Sequence, residues 1–321
     1  MRQTDGGKLP LIVLLGPTAV GKTALSVGLA AALGGEIISA DSMQFYRYMD
    51  IGTAKIRPDE MRTAGGHIIP HHLLDIADPD QPYTVADFQR DAAECIRDIT
   101  ARGRLPLLVG GSMLYIQALT DGYTFGEDAG GNEVLRARLQ QEYDTLGGNA
   151  LHQRLAAIAP DTAARIAPQD ARRLIRALEV IELTGQPPAA QPAAEAPYDV
   201  LLLGLHRERE QLYRRIEQRV DIMLADGLQA ETERLLDMGF GAELKPMQGL
   251  GYRQMCQYLY GELTYDEMVR LIKRDTRRFA KRQLTWWRRD GRIRWFDAGA
   301  AADEELLAGV LAAVHGHFGD L

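Results

Sequence analysis

The sequence predicts an α/β fold: a parallel sheet flanked by helices, with an all-helical domain inserted into it. Three observations carry this. Residues 11–23, LIVLLGPTAVGKT, run an aliphatic strand into a glycine-framed loop, and an Ala/Leu-rich helix follows over 24–33. Strand-like and helix-like segments then alternate to about residue 120, the pattern of a parallel sheet covered by helices. From about residue 125 helical segments follow one another with no strand between them, until VLLLGL at 200–205 resumes strand character. The simplest division is a core of 1–124 and 198–321, interrupted by an insertion of 125–197.

Each element has a local reason. Residues 11–15 form an apolar run of the length and branching of a buried strand. Gly16 to Thr23 fits G-x-x-x-x-G-K-[ST], and strand–loop–helix is the context that motif requires, so the core is P-loop NTPase-like. Residues 36–40 (EIISA) are a second strand, ending at Asp41. Residues 87–102 form a helix with Phe88, Ala92, Ile96 and Ile99 on one stripe. Residues 105–109 (LPLLV) are a third strand, closed by Gly110-Gly111. GEDAGGNE then forms a loop, and helices follow over 134–146, 150–159 and 169–183. Asn149 fits an N-cap, and Pro160-Asp161 breaks the run. GQPPAAQPAAEAP, 185–197, reads as a Pro/Ala linker, and after 205 helices fill the rest.

Composition narrows the class. With 46% hydrophobic and 25% charged residues, the 321-residue chain has the make-up of a soluble globular protein. No run of about 18 apolar residues offers a membrane span, and the N-terminus MRQTDGGKLP lacks the apolar core of a signal peptide. Cys95 and Cys256 supply neither a disulfide framework nor a zinc site, so a cytoplasmic location is expected. The net charge of −7 argues against a nucleic-acid partner, but its distribution does not. From Arg270 to Arg294 eleven Lys and Arg stand against only Asp275 and Asp290, most of them three or four apart and so on one side of a helix, with Trp286 and Trp287 inside the run. That stripe is either a solvated face or the footprint of a phosphate backbone.

The chemistry-bearing residues follow. In the loop Gly16, Pro17, Thr18, Ala19, Val20, Gly21, Lys22 and Thr23, backbone N–H groups cradle phosphate, Lys22 reaches a terminal phosphate and Thr23 can hold Mg2+. Asp41 ends the second strand as this loop ends the first, which puts both at the crevice outside the strands' carboxyl ends. There Asp41 serves as general base, Mg2+ ligand or helix cap. Ser42, Met43 and Gln44 follow it, and a Ser and a Gln beside an Asp suit the edge of a base. Gly110-Gly111-Ser112 permits close backbone approach by a ligand, or forms a structural turn. His67, His71 and His72 near Asp75 match no metal-ligand spacing. Arg172, Arg173 and Arg176 either grip a phosphate backbone or decorate a surface helix. Arg215 and Arg219 stand i, i+4, so an Arg from there can clamp a leaving pyrophosphate.

The strings GPTAVGKT, DSMQFY, MDIGTAK, HHLLDI, PLLVGGSMLY, RIEQR and GLGYRQM occur in that order. Together they resemble the tRNA dimethylallyltransferase (isopentenyl diphosphate:tRNA transferase) family, over nearly the whole chain. The resemblance implies that the loop holds dimethylallyl diphosphate with Mg2+, at Thr23, rather than ATP. It implies transfer of the dimethylallyl group to N6 of adenosine 37, beside the anticodon of a tRNA, with Asp41 as general base. Thr18 and Arg219 match positions that contact the diphosphate. Asp41, Ser42, Met43, Gln44, Ser112 and Arg136 match regions that contact the tRNA anticodon stem-loop. So do Arg172, Arg173, Leu174, Ile175 and Arg176, and Gln248, Gly249, Leu250, Gly251, Tyr252 and Arg253. A monomer without membrane attachment is expected. Val20 departs from a small Ser common in the family, and Ser112 keeps the hydroxyl of a common Thr. The rivals are a small-molecule kinase on the same fold, a prenyltransferase acting on free adenine nucleotides and a P-loop protein that binds RNA without chemistry.

Overall fold

The computed structural model describes residues 7–63, 65–125, 132–188, 190–191, 197–300 and 302–319. The first strand, β1 (Leu9–Leu15), is apolar along nearly its whole length because both of its faces are covered. Its side chains alternate: Ile12 and Leu14 enter one core layer, Leu11, Val13 and Leu15 the other. After it come α1 (Lys22–Leu33), β2 (Gly35–Ala40), the two-residue β3 (His71–His72), α2 (Val85–Ala101), β4 (Leu105–Gly110) and α3 (Met113–Thr120). Gly34 ends α1 in the left-handed conformation with φ 61°, and Thr84 and Asp87 close a capping box at the start of α2. The expected stripe of α2 is fully buried at Phe88, Ala92, Ile96 and Ile99.

The chain falls into two compact units, Met1–Asp121 with Ala196–Leu321, and Gly122–Glu195. The second unit contains β5 (Thr124–Phe125), α4 (Glu133–Leu146), α5 (Gly148–Ile158), α6 (Pro160–Ala163), α7 (Ala171–Thr184) and β6 (Ala190–Gln191). Its own core gathers Leu139, Leu151, Leu155, Leu174, Ile175 and Leu178. Asn132 and Asp170 cap α4 and α7 through their side chains. Asn149 is not a cap: α5 begins two residues earlier than expected, at Gly148, with Gly147 at its cap. The expected loop at GEDAGGNE falls outside the described residues at 126–131. Within the expected linker, Ala190–Gln191 pairs antiparallel with Thr124–Phe125, while 189 and 192–196 lie outside the described residues.

The first unit resumes with β7 (Tyr198–His206), α8 (Arg209–Ala225), α9 (Leu228–Asp237), α10 (Tyr252–Leu259), α11 (Tyr265–Trp287), β8 (Arg294–Asp297) and α12 (Asp303–Phe318). The six-stranded sheet runs β3-β2-β4-β1-β7-β8 and every pairing in it is parallel. Helices were expected to fill the last stretch; instead β8 adds an edge strand to it. One face of the sheet packs against α1, α8 and α12, the other against α2, α3 and the end of α11. Trp287 is buried in the second layer and Trp286 packs beside it, so the two tryptophans of the basic run serve the core.

Register sets up the site. Leu15 pairs with Gly110, and Gly110 pairs in turn with Ala40. The residues that follow these three, Gly16, Gly111 and Asp41, therefore leave the sheet side by side at its carboxyl end.

Two buried charges hold the long loop after β2. The ammonium of Lys55 donates to Tyr46 O at 2.9 Å and to Asp50 and Asp75 carboxylates at 2.6 Å each. Glu231, 2% exposed, accepts from the N–H groups of Asp50, Ile51 and Gly52 at 2.8–3.0 Å and from the Tyr252 hydroxyl at 2.6 Å. Every one of these partners is a donor, which only an acceptor-only carboxylate can satisfy. Glu231→Gln sets an NH2 against a buried donor and is expected to cost about 2 kcal/mol. Urea unfolding measures it, and an unchanged midpoint would contradict the role assigned to Glu231.

Candidate active site

The phosphate loop is braced on its carbonyl side. Lys22 Nζ donates to Gly16 O at 2.9 Å and Pro17 O at 3.0 Å. Arg215 Nε donates to Ala19 O at 2.9 Å, and Arg207 Nε to Val20 O at 2.8 Å. Ala19 sits at φ 63°, a left-handed conformation that a non-glycine residue adopts at some cost. A Cβ at Gly16 would lie 2.7 Å from Leu205 O, so strand packing itself demands the glycine. The loop carbonyls, which would repel an anion, are thus paired with cations.

Asp41 stands opposite. Its Oδ1 accepts from Met43 N at 3.0 Å. Burial pushes its carboxyl above the ordinary range, against the opposing pull of that hydrogen bond and of the Lys22 and Arg219 charges. Burial lowers Lys22 to about 8, with Asp41 opposing the shift and Arg219 adding to it. Burial and the neighbouring Arg215 lower Arg219 as well. The Ser42 N–H donates to Ser112 Oγ at 2.8 Å, and the Ser112 N–H to Ala40 O at 3.2 Å, which fixes the strand ends to each other.

Asp41, Ser42, Met43, Ser112 and Arg219 line a cavity of about 690 Å³. Thr18, Asp41, Ser112 and Arg219 are polar groups in its wall, and Ile216, Val220, Met223, Ile272 and Phe279 form an apolar stretch. Arg253, Arg274, Arg278 and Arg282 add guanidinium groups, that of Arg282 lying 5.7 Å from the Phe279 ring centre. An adjoining opening of about 560 Å³ shares Arg219 and is lined by Thr23, Asp50, Glu60 and Arg215. The cavity thus combines Thr18 of the glycine-framed loop, an apolar wall, a carboxylate and several arginines, a concave mix of apolar and convergent polar groups typical of a ligand site.

The chain is similar to known proteins in sequence and fold. Residues 44–290 match the family model described as IPP transferase, and residues 9–67 that described as isopentenyl transferase. The chain belongs to the IPP transferase family. It is 55% identical to a tRNA dimethylallyltransferase of Symbiobacterium thermophilum over 94% of both chains. It is 49% identical to one of Carboxydothermus hydrogenoformans, over 94% of this chain and 96% of that one. The solved full-length tRNA isopentenylpyrophosphate transferase of Bacillus halodurans aligns at a TM-score of 0.73 with 43% identity, covering 97% of each chain. A eukaryotic dimethylallyltransferase, solved acting on tRNA, aligns at 0.75 with 28% identity over 94% of this chain and 77% of that one.

Within this IPP transferase, the structure brings Thr18, Asp41, Ser42, Met43, Ser112, Arg219 and residues 248–253 to one cavity. Several residues expected to contact tRNA are engaged within the protein. The Gln44 amide is engaged internally, accepting from Ser39 Oγ and donating to Thr53 O and Ala54 O. Tyr252 is fully buried with its hydroxyl on Glu231, so it holds the loop instead of offering its ring to solvent. Leu174 and Ile175 are core residues of the second unit. In that unit Arg136 and Arg176 both bind Glu179, which is fully buried, at 3.0–3.1 Å. Arg172 and Arg173 are exposed on the same helix. The histidines serve structure: His71 Nδ1 meets Ile69 O, and His72 Nε2 meets the Glu36 carboxylate.

Sequence reasoning missed Arg207, Glu231 and Gln283. Only Gln283 left a signal: it falls on the buried stripe of α11 with Ala280 and Trp287, where a polar amide needs partners.

Burial lowers Lys22 to about 8, and only its charged form would attract an anion. Affinity for inorganic pyrophosphate, measured by calorimetry, is therefore expected to hold below pH 8 and weaken above it. Lys22→Met is expected to bind weakly at every pH, and a wild-type affinity rising through pH 9 would contradict the assignment.

Proposed function

We propose that this chain, an enzyme of the IPP transferase family, moves the dimethylallyl group of dimethylallyl diphosphate to N6 of adenosine 37 in tRNA. The observation that carries this reading is Asp41, a carboxylate raised in pKa by burial, in one cavity with the phosphate loop's Thr18, Arg219 and an apolar wall. The apolar stretch at Ile216, Val220, Met223 and Phe279 suits a five-carbon chain, and no phosphoryl acceptor is needed.

In the step, the N6–C1 bond forms as the C1–O bond breaks. The C1–O electron pair leaves with the diphosphate, and the N6 proton passes to the Asp41 carboxylate. An amine conjugated to adenine is a poor nucleophile, so a carboxylate that accepts its proton as charge develops lowers the barrier. Lys22 and Arg219 hold the departing charge in surroundings that strengthen their attraction for it. The target base leaves its stack to reach such a cavity. Thr23, exposed at the start of α1, and the Asp50 and Glu60 carboxylates in the same opening offer the oxygen donors Mg2+ takes, so the residues fit that ion. When bound, Mg2+ would offset the diphosphate charge.

The polynucleotide half of the reading is supported by the cavity's Arg253, Arg274, Arg278 and Arg282, and by exposed Arg172 and Arg173. Among the described residues no helix is long and apolar enough to cross a membrane.

The test is one incubation with Mg2+, labelled dimethylallyl diphosphate and unmodified tRNA. Label in tRNA is expected, and label moving to AMP instead would overturn the tRNA reading. Asp41→Asn is expected to lower turnover ~100-fold or more, the scale of a lost general base, with diphosphate binding kept. Because the active form is the ionised carboxylate and its pKa is raised, wild-type turnover should fall with decreasing pH at a value above the ordinary 3.8. An unperturbed acid limb would remove Asp41 from the role. Replacing Arg172 and Arg173 by Gln should flatten the salt dependence of tRNA binding by about one unit of slope for each phosphate no longer neutralised. An unaltered slope would exclude that helix face from the tRNA interface.

A further inference from the structure

A single buried amide links the two halves of the cavity. Gln283, on α11, is 2% exposed. Its Oε1 accepts from the Thr18 N–H at 3.0 Å, and its Nε2 donates to Gly111 O at 3.0 Å. The fit is close: a Cβ on Gly111 would lie 2.4 Å from Gln283 Nε2, so the glycine is what lets the amide in. The connection continues from Gly111 to its neighbour Ser112, whose Oγ accepts from the N–H of Ser42, the residue after Asp41. The path Thr18, Gln283, Gly111, Ser112, Ser42 runs from the loop beside the leaving group to the general base.

We propose that Gln283 is a positioning residue that sets the separation between the phosphate loop and Asp41. The inference rests on the proposed function, in which the diphosphate is held at the loop and the attacking amine at Asp41. Transfer from an allylic carbon requires nucleophile, carbon and leaving oxygen to be held together in order, and a misplacement of about 1 Å can cost ~100-fold. The sheet brings the loops after β1, β2 and β4 to one edge, but beyond Leu15, Ala40 and Gly110 no strand pairing continues. The Gln283 amide spans the gap between the first and third loops. It uses both of its polar ends, an acceptor for one loop and a donor for the other, which an apolar or acidic side chain cannot do. Its partners are backbone groups, so the separation is set by the main chain of both loops.

The test compares wild type with Gln283→Leu and Gln283→Glu. Leucine removes both hydrogen bonds; glutamate keeps the acceptor for Thr18 and loses the donor to Gly111. Single-turnover transfer at saturating substrates is expected to fall ~10- to 100-fold in both variants, with the KM for prenyl diphosphate and for tRNA within about threefold of wild type. A double-mutant cycle with Ser112→Ala should be strongly non-additive, since both changes cut one path. Wild-type single-turnover rates in a folded Gln283→Glu, additive losses with Ser112→Ala, or a KM effect without a rate effect would each overturn the proposal. Should Gln283→Leu fail to fold, Gln283→Glu with the cycle decides alone. If wild type itself transfers nothing to tRNA, the proposed function has failed; if wild type transfers and the variants match it, only the role of Gln283 has.

Discussion

Strand register governs the site before any side chain acts. Leu15 and Ala40 both pair with Gly110, from its two sides, so Gly16, Asp41 and Gly111 emerge together from the carboxyl end of a parallel sheet. A slip of one residue would turn every strand side chain to the other face. It would expel Ile12 and Leu14 from one core layer and Leu11, Val13 and Leu15 from the other. The ladder that pairs Leu15 with Gly110 and Gly110 with Ala40 places Gly16, Gly111 and Asp41 together.

Beyond the sheet, polar contacts take over. The loop carbonyls are held by Lys22, Arg207 and Arg215, the segment 50–52 by Glu231, and Thr18 and Gly111 by Gln283. These groups share a logic: each gives a buried or half-buried polar backbone atom its partner, and each leaves the cavity to groups whose charge matters. Asp41, Lys22 and Arg219 perturb one another's ionisation, although only Asp41 and Arg219 line the cavity. Concentrating one carboxylate and two cations in a sheltered space is costly to the folded state, and such clusters mark functional sites.

Much of this was legible in the chain. The central strands were readable because burial on both faces makes them continuous apolar runs, and the stripe of α2 because its period is helical. The edge strands β3 and β8 were not: His71–His72 and Arg294–Asp297 are short and partly exposed, with no apolar run, so pairing alone defines them. The motifs marked the cavity but did not separate residues that face a ligand from those that hold the backbone. Gln44, Tyr252, Leu174 and Ile175 belong to the second kind. The helical stripe of α11 marked Gln283 as a buried amide, but its partners, 265 and 172 residues away, lie beyond any local pattern.

The central proposal is a phosphate loop that releases a diphosphate from carbon and transfers no phosphoryl group. Prenyl diphosphate carrying 18O in the C1–O bridge tests that most directly. After one turnover with tRNA, mass spectrometry should find the 18O in inorganic pyrophosphate, one per prenyl group gained by the tRNA. Recovery of the 18O in a prenyl alcohol or a prenyl monophosphate would mean that a P–O bond had broken, and would contradict the account.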